Sequence, residues 1–119
     1  MSYKGDIVRL YTIRKFITDI ETIINNHETV IKAVENMEGQ YALMLCIAQI
    51  GELLNKITTP ELKADLPVKD AVAFRNVIVH NYEHINIKFT VRTLKESIPE
   101  LKTKISSLIK DYEEKQIKS

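Results

Sequence analysis

The sequence predicts an all-α protein, an up-and-down bundle of four to five helices. Three observations predict it. Apolar residues recur at steps of three and four along most of the chain, the spacing of one helical face. Only 3 Gly and 3 Pro interrupt 119 residues, which leaves room for long regular elements. No stretch alternates in the manner of a strand. The length suits a single domain over residues 1–119. A chain of this size buries roughly two-thirds of its unfolded surface, enough for one core without staples.

The elements follow in order. Asp6 is placed as an N-cap. After it Ile7, Leu10, Ile13, Ile17, Ile20 and Ile24 form one stripe on a long first helix. Asn25 and Asn26 stop it, because Asn tolerates the left-handed cap. His27 to Met37 reads as a short helix with Val30, Ala33, Val34 and Met37 inward, broken by Gly39. Gln40 to Ile57 is a second long helix, striped by Leu43, Ile47, Ile50, Leu54 and Ile57. Thr58-Thr59-Pro60 ends it and opens a short turn of helix, with Thr59 as cap and Pro60 first. Leu66-Pro67 punctuates again. Val68 to Tyr82 is the most apolar helix; in its centre only Arg75, Asn76 and His80 are polar, so it is expected to be buried on most sides. Asn86 to Ile98 carries Ile87, Val91, Leu94 and Ile98 inward. Pro99 kinks or restarts the chain. Leu101, Ile105, Leu108 and Tyr112 stripe a last helix that frays at Glu113.

Composition excludes several function classes. The net charge is +1, so charge alone signals no nucleic acid. Residues 1–85 carry a net −2 and residues 86–119 a net +3, a mild C-terminal basic bias. The single cysteine, Cys46, lies in an apolar run and reads as a buried, inert thiol. No run approaches 18 apolar residues, so no membrane span is expected. The start of the chain has no apolar leader, and a cytoplasmic location is the expectation. The glycines, Gly5, Gly39 and Gly51, form no phosphate loop, which argues against an NTP-hydrolysing enzyme. Three scattered histidines without cysteine partners make no metal site, and no cofactor is expected. His27 reads as a surface turn residue. The tyrosines Tyr3, Tyr11, Tyr41 and Tyr112 suit core or dimer contacts better than base stacking.

The chemistry lies in Arg75-Asn76-Val77-Ile78-Val79-His80-Asn81-Tyr82. On a helix Asn76 and His80 are neighbours, four residues apart. Arg75 and Tyr82 are nearly aligned. Arg75 and His80 lie about 140° apart, so one ideal helix does not bring them together. Either the helix bends near His80, or a second copy supplies the missing half across a two-fold axis. The residue types suit RNA cleavage without metal. Histidine can take the 2′-hydroxyl proton or protonate the leaving 5′-oxygen near neutral pH. Arginine offers a fork of donors to the charge that builds on phosphorus. Asparagine can orient the histidine or donate to the phosphate. Spacing alone leaves open that the arginine and histidine merely satisfy buried partners.

Arg75-Asn76-x-x-x-His80-x-Tyr82 resembles the motif of HEPN domains, and its Asn and Tyr are similar to the HepT branch. Gln49-Ile50-Gly51-Glu52 and Pro99-Glu100-Leu101 carry the resemblance further, over residues 5–112. The resemblance implies a homodimeric helical bundle and metal-independent ribonuclease activity, as the toxin of a toxin-antitoxin system. Arg75 and His80 would be the catalytic pair, supported by Asn76, with Glu52, Asn81, Glu83 and His84 lining the cleft. It also implies a partner, a small MntA-like nucleotidyltransferase antitoxin that attaches AMP to Tyr82. Added bulk and negative charge there would exclude RNA phosphate. Glu83 departs from the branch, since it places an acid beside an RNA site. A non-catalytic nucleotide-binding or regulatory subunit for a nucleotidyltransferase is the alternative, and a helical scaffold with packing-only polar residues is the third reading.

Overall fold

The computed structural model describes residues 3–81 and 86–118. Those residues form helices and the turns that join them. Four long helices make the bundle: α1 (Tyr3–Asn26), α3 (Met37–Lys56), α5 (Val68–Asn81) and α7 (Ile98–Lys118). Three short ones, α2 (Val30–Glu35), α4 (Pro60–Lys63) and α6 (Ile87–Arg92), join them, and a π turn over Thr93–Ser97 runs α6 into α7. The all-α bundle expected from periodicity is the architecture found.

α3 is the hub, packed on α1, α2 and α5, while α7 closes against α1. α1 and α3 run antiparallel: Asp6 meets Thr58 and Thr59 at one end, and His27 lies beside Gly39 at the other. α1 and α7 are antiparallel too, since Tyr3 stacks near Tyr112 while Lys102 reaches Glu21. The core is the set of facing stripes: Leu10, Ile13, Ile17 and Ile20 from α1, Leu43, Ile47, Ile50 and Leu54 from α3, and Leu101, Ile105 and Ile109 from α7. Burying each such side chain contributes roughly 1.5–3 kcal/mol before entropy is counted.

Several local expectations need correcting. α1 begins at Tyr3, so Asp6 sits inside its first turn rather than capping it. Asp6 is fully buried and instead accepts from Thr58 N, Thr59 N and the Thr59 hydroxyl at 3.1, 2.8 and 2.6 Å. Thr59 therefore spends its hydroxyl on Asp6 and makes no side-chain cap on α4. α1 does stop at Asn26, yet the left-handed residue is Glu28, with φ of 72°. The break before α3 is Asn36, not Gly39. Asn36 is extended; its N–H closes α2 on Lys32 O, and its side chain accepts from Gly39 N to open α3. Gly39 lies inside α3, where a β-carbon would collide with the Ala33 carbonyl oxygen. Met37 and Ile87 point out rather than in.

Pro99 does not stop the helix. It lacks the N–H that would reach back to residue 95. A π turn, in which Ile98 N donates to Thr93 O, stands where that bond is missing, and α7 continues through Pro99. α7 stays helical to Lys118, beyond the expected fraying point, and its buried stripe uses Ile109 where Leu108 was expected. Thr90 is a fully buried hydroxyl that apolar patterning could not flag; it donates to Asn86 O at 3.0 Å. α5 departs most. It buries Phe74 and Ile78, but Ala73, Asn76, Val77, Val79 and His80 are exposed. Its all-round apolarity does not translate into burial within one chain.

Candidate functional site

The motif residues stand on α5, which is helical without interruption from Val68 through Asn81. No bend near His80 brings it round to Arg75 over that span. The two polar faces separate as helical geometry requires. Ala73, Asn76, Val77 and His80 form one exposed stripe along α5. Arg75 lies on another face, turned toward α3.

There it meets Glu52, and Arg75 Nη1 forms an ion pair with Glu52 Oε1. The seam between the helices explains the meeting. At Gly51 a β-carbon would lie 2.9 Å from both the Ala71 carbonyl oxygen and Arg75 Cβ. Only glycine permits that approach, so the residue before Glu52 sets α5 close enough for its own neighbour to reach the guanidinium. Phe74, one residue before Arg75, is buried and stacks at 5.2 Å and 46° on Phe89 of α6. α5 is thus held on two sides around Arg75. Arg75 Nε is buried and has no hydrogen-bond partner among the described residues. A buried unpaired donor costs about 1–3 kcal/mol, so it stands out as a group not spent on stability.

Among the described residues, Glu52, expected at the cleft, is the one acidic residue paired with Arg75. Asn76 and His80 share a face but not the Arg75 face. Asn81 ends α5. Tyr82, Glu83 and His84 lie outside the described residues. His27 stands apart in the turn after α1, where it was expected, part-buried and with its Nδ1 2.8 Å from Ile23 O. Tyr3 and Tyr11 make intramolecular contacts to α7, with the Tyr11 hydroxyl donating to Glu113 Oε2 at 2.6 Å. Cys46 is buried, and desolvation pushes its thiol pKa up, away from reactivity. No group of three or more His, Cys, Asp or Glu able to hold a metal occurs among the described residues. Nor is any described helix long and apolar enough to cross a membrane. Patterning missed a cavity of about 920 Å³ lined by Phe74 and Val77 of α5, Phe89 of α6 and Leu101 of α7. Cavities are made by packing and leave no local signal.

Comparison with known proteins decides the family. Residues 8–108 match the family described as "Ribonuclease HepT-like". The chain belongs to this family. Two Methanocaldococcus jannaschii proteins are similar to it. "Putative RNase MJ1216" is 31% identical over 108 residues, covering 89% of this chain and 88% of its own. "Putative RNase MJ0125" is 32% identical over 117 residues, covering 97% and 89%. No solved structure gives a significant match. The HepT-like span contains the whole of the α3–α5 seam and the Arg75 to Tyr82 motif.

Proposed function

We propose that this chain is a single HEPN domain over residues 1–119, acting as a metal-independent endoribonuclease. The observation that carries the reading is the Arg75–Asn76–His80 motif on α5, inside the span matched to HepT-like ribonucleases. In the reaction the RNA 2′-hydroxyl attacks the adjacent phosphorus and the 5′-oxygen leaves, giving a 2′,3′-cyclic phosphate. His80 moves a proton to or from these oxygens. Arg75 donates to the phosphorane oxygens, and Asn76 orients the histidine from the next turn.

On one α5, Arg75 and His80 face apart, so the working site joins two copies. The exposed stripe of Ala73, Asn76, Val77 and His80 supports this: it is half apolar, and a two-fold pairing of α5 would cover it. In this reading the chain is a cytoplasmic toxin. A small MntA-like nucleotidyltransferase antitoxin silences it by attaching AMP to Tyr82, which follows Arg75 by seven residues in the sequence. Asn81, Glu83 and His84 then border the RNA cleft.

The test is RNA cleavage by purified protein in excess EDTA, beside His80→Ala, with the intact mass of both recorded. The expected result is cleavage by the wild type alone, with cyclic phosphate ends. Equal cleavage by both, or none from unmodified protein, removes the reading.

A further inference from the structure

Glu52 is the carboxylate that meets the motif arginine, and its contact is built rather than incidental. Arg75 is mostly covered, with 22% of its side chain exposed, and Glu52 keeps 37%. A guanidinium on a flexible stem samples many rotamers unless something holds it. Here three features hold it. The Gly51 seam brings α3 against Arg75 Cβ. The Nε edge is turned inward and buried. Glu52 Oε1 takes Nη1 at the far end. With Nε buried and Nη1 anchored, two points of the planar guanidinium are held, and with them its orientation.

We propose that Glu52 is the positioning residue for Arg75, fixing the guanidinium so that its free donors point at a scissile phosphate. This rests on the nuclease reading given above. Glu52 does not touch substrate in this role; it acts through Arg75. Pre-ordering of this kind raises turnover because the donors need not reorganise as charge develops. The pairing has a second consequence. The ion pair is net neutral, so Arg75 serves the site by directed hydrogen bonds more than by long-range attraction.

The experiment combines kinetics with a readout that needs no cleavage. Wild type, Glu52→Ala, Glu52→Gln, Arg75→Ala and the Glu52→Ala/Arg75→Ala double variant are compared on one RNA. Glu52→Ala is expected to lower kcat about tenfold to a hundredfold, the cost of small misplacement, with KM within about threefold. Glu52→Gln, whose amide oxygen still accepts from Nη1, is expected to stay within about threefold of wild-type kcat. The double variant is expected to be no worse than Arg75→Ala, because the two residues act as one unit. In ¹⁵N spectra of the arginine side chains, Arg75 is expected to show separate, slowly exchanging Nη signals that merge in Glu52→Ala. Melting curves show whether each variant is folded, and Glu52 is exposed enough that its variants are expected to melt within a few degrees of wild type.

Wild-type turnover in folded Glu52→Ala overturns the proposal while leaving the nuclease reading in place. So does a double variant whose loss is the product of the single losses. A wild-type chain that cleaves no RNA, even with Arg75 held in the spectra, removes the nuclease reading and the role given to Glu52 with it.

Discussion

Asp6 and Arg75 are both charged side chains drawn into the helical body, and they are satisfied to very different degrees. Asp6 is fully buried at the corner where α1 meets the α3–α4 turn. It accepts from two backbone N–H groups and two hydroxyls, and Arg9 Nη1 lies 3.1 Å away. Arg75, at the α3–α5 seam, has one carboxylate and a buried Nε without a partner among the described residues. The apolar surroundings differ in the same sense. Leu10, Ile13 and Ile17 of α1 are at most 1% exposed, whereas Val77 and Val79 of α5 are 46% and 61% exposed. One corner is finished within a single chain and serves stability. The other leaves polar and apolar groups unspent, as a site for chemistry or for a partner does.

The comparison is broken most easily at Asp6. Asp6→Ala removes the acceptor shared by the part-buried Thr58 and Thr59 donors, and is expected to cost about 3 kcal/mol, lowering Tm by roughly 10 °C. Burial by itself pushes the Asp6 pKa up, but the bonds from the Thr59 hydroxyl, Thr59 N and Thr58 N, with the Arg9 charge, outweigh it and hold the carboxyl below its ordinary value of 3.8. The sign follows. The folded form keeps Asp6 ionised where the unfolded chain protonates it, so its contribution is complete above pH 3.8 and is lost as pH falls through the lowered value. Acid titration of wild type and Asp6→Ala checks this; a difference in stability that persists undiminished well below that range refutes the assignment.

The next effect falls on the seam. Gly51→Ala must push α3 from α5, because both atoms that its β-carbon would meet belong to the backbone or to a Cβ. The expected cost is about 1–3 kcal/mol of overpacking, together with reduced RNA cleavage, since Arg75 moves with the seam. Retained cleavage at lowered stability would show that the close approach serves packing alone.

How much of this the sequence made legible depends on range. The stripes of α1 and α3 were readable because periodicity is a local property, and so was the separation of Arg75 from His80, which follows from α5 being a helix. The Asp6 cluster was not, because its donors lie 52 and 53 residues away and a carboxylate near a helix start looks like an ordinary cap. Glu52 was placed at the cleft only through the family resemblance; that it meets Arg75, and that Gly51 allows it, depends on how two helices dock. The exposure of α5 misled for a related reason. Apolarity reports that a face is to be covered, not that the same chain covers it.

The smallest effect on folding, and the sharpest on the comparison, is expected at the exposed stripe. Val77 is 46% exposed, so Val77→Lys removes little apolar burial within one chain and is expected to cost under about 0.5 kcal/mol in dilute protein. If α5 pairs with a second copy, the wild type gains stability from association, and its Tm rises with protein concentration. A lysine on each side of a two-fold axis sets like charges against each other and removes that rise. The expected outcome is therefore a concentration-dependent Tm for wild type, a flat one for Val77→Lys, and convergence of the two on dilution. Flat melting in both would mean that the open half of this molecule is not completed by a second copy, and that Arg75 and His80 must be joined by something other than a two-fold axis.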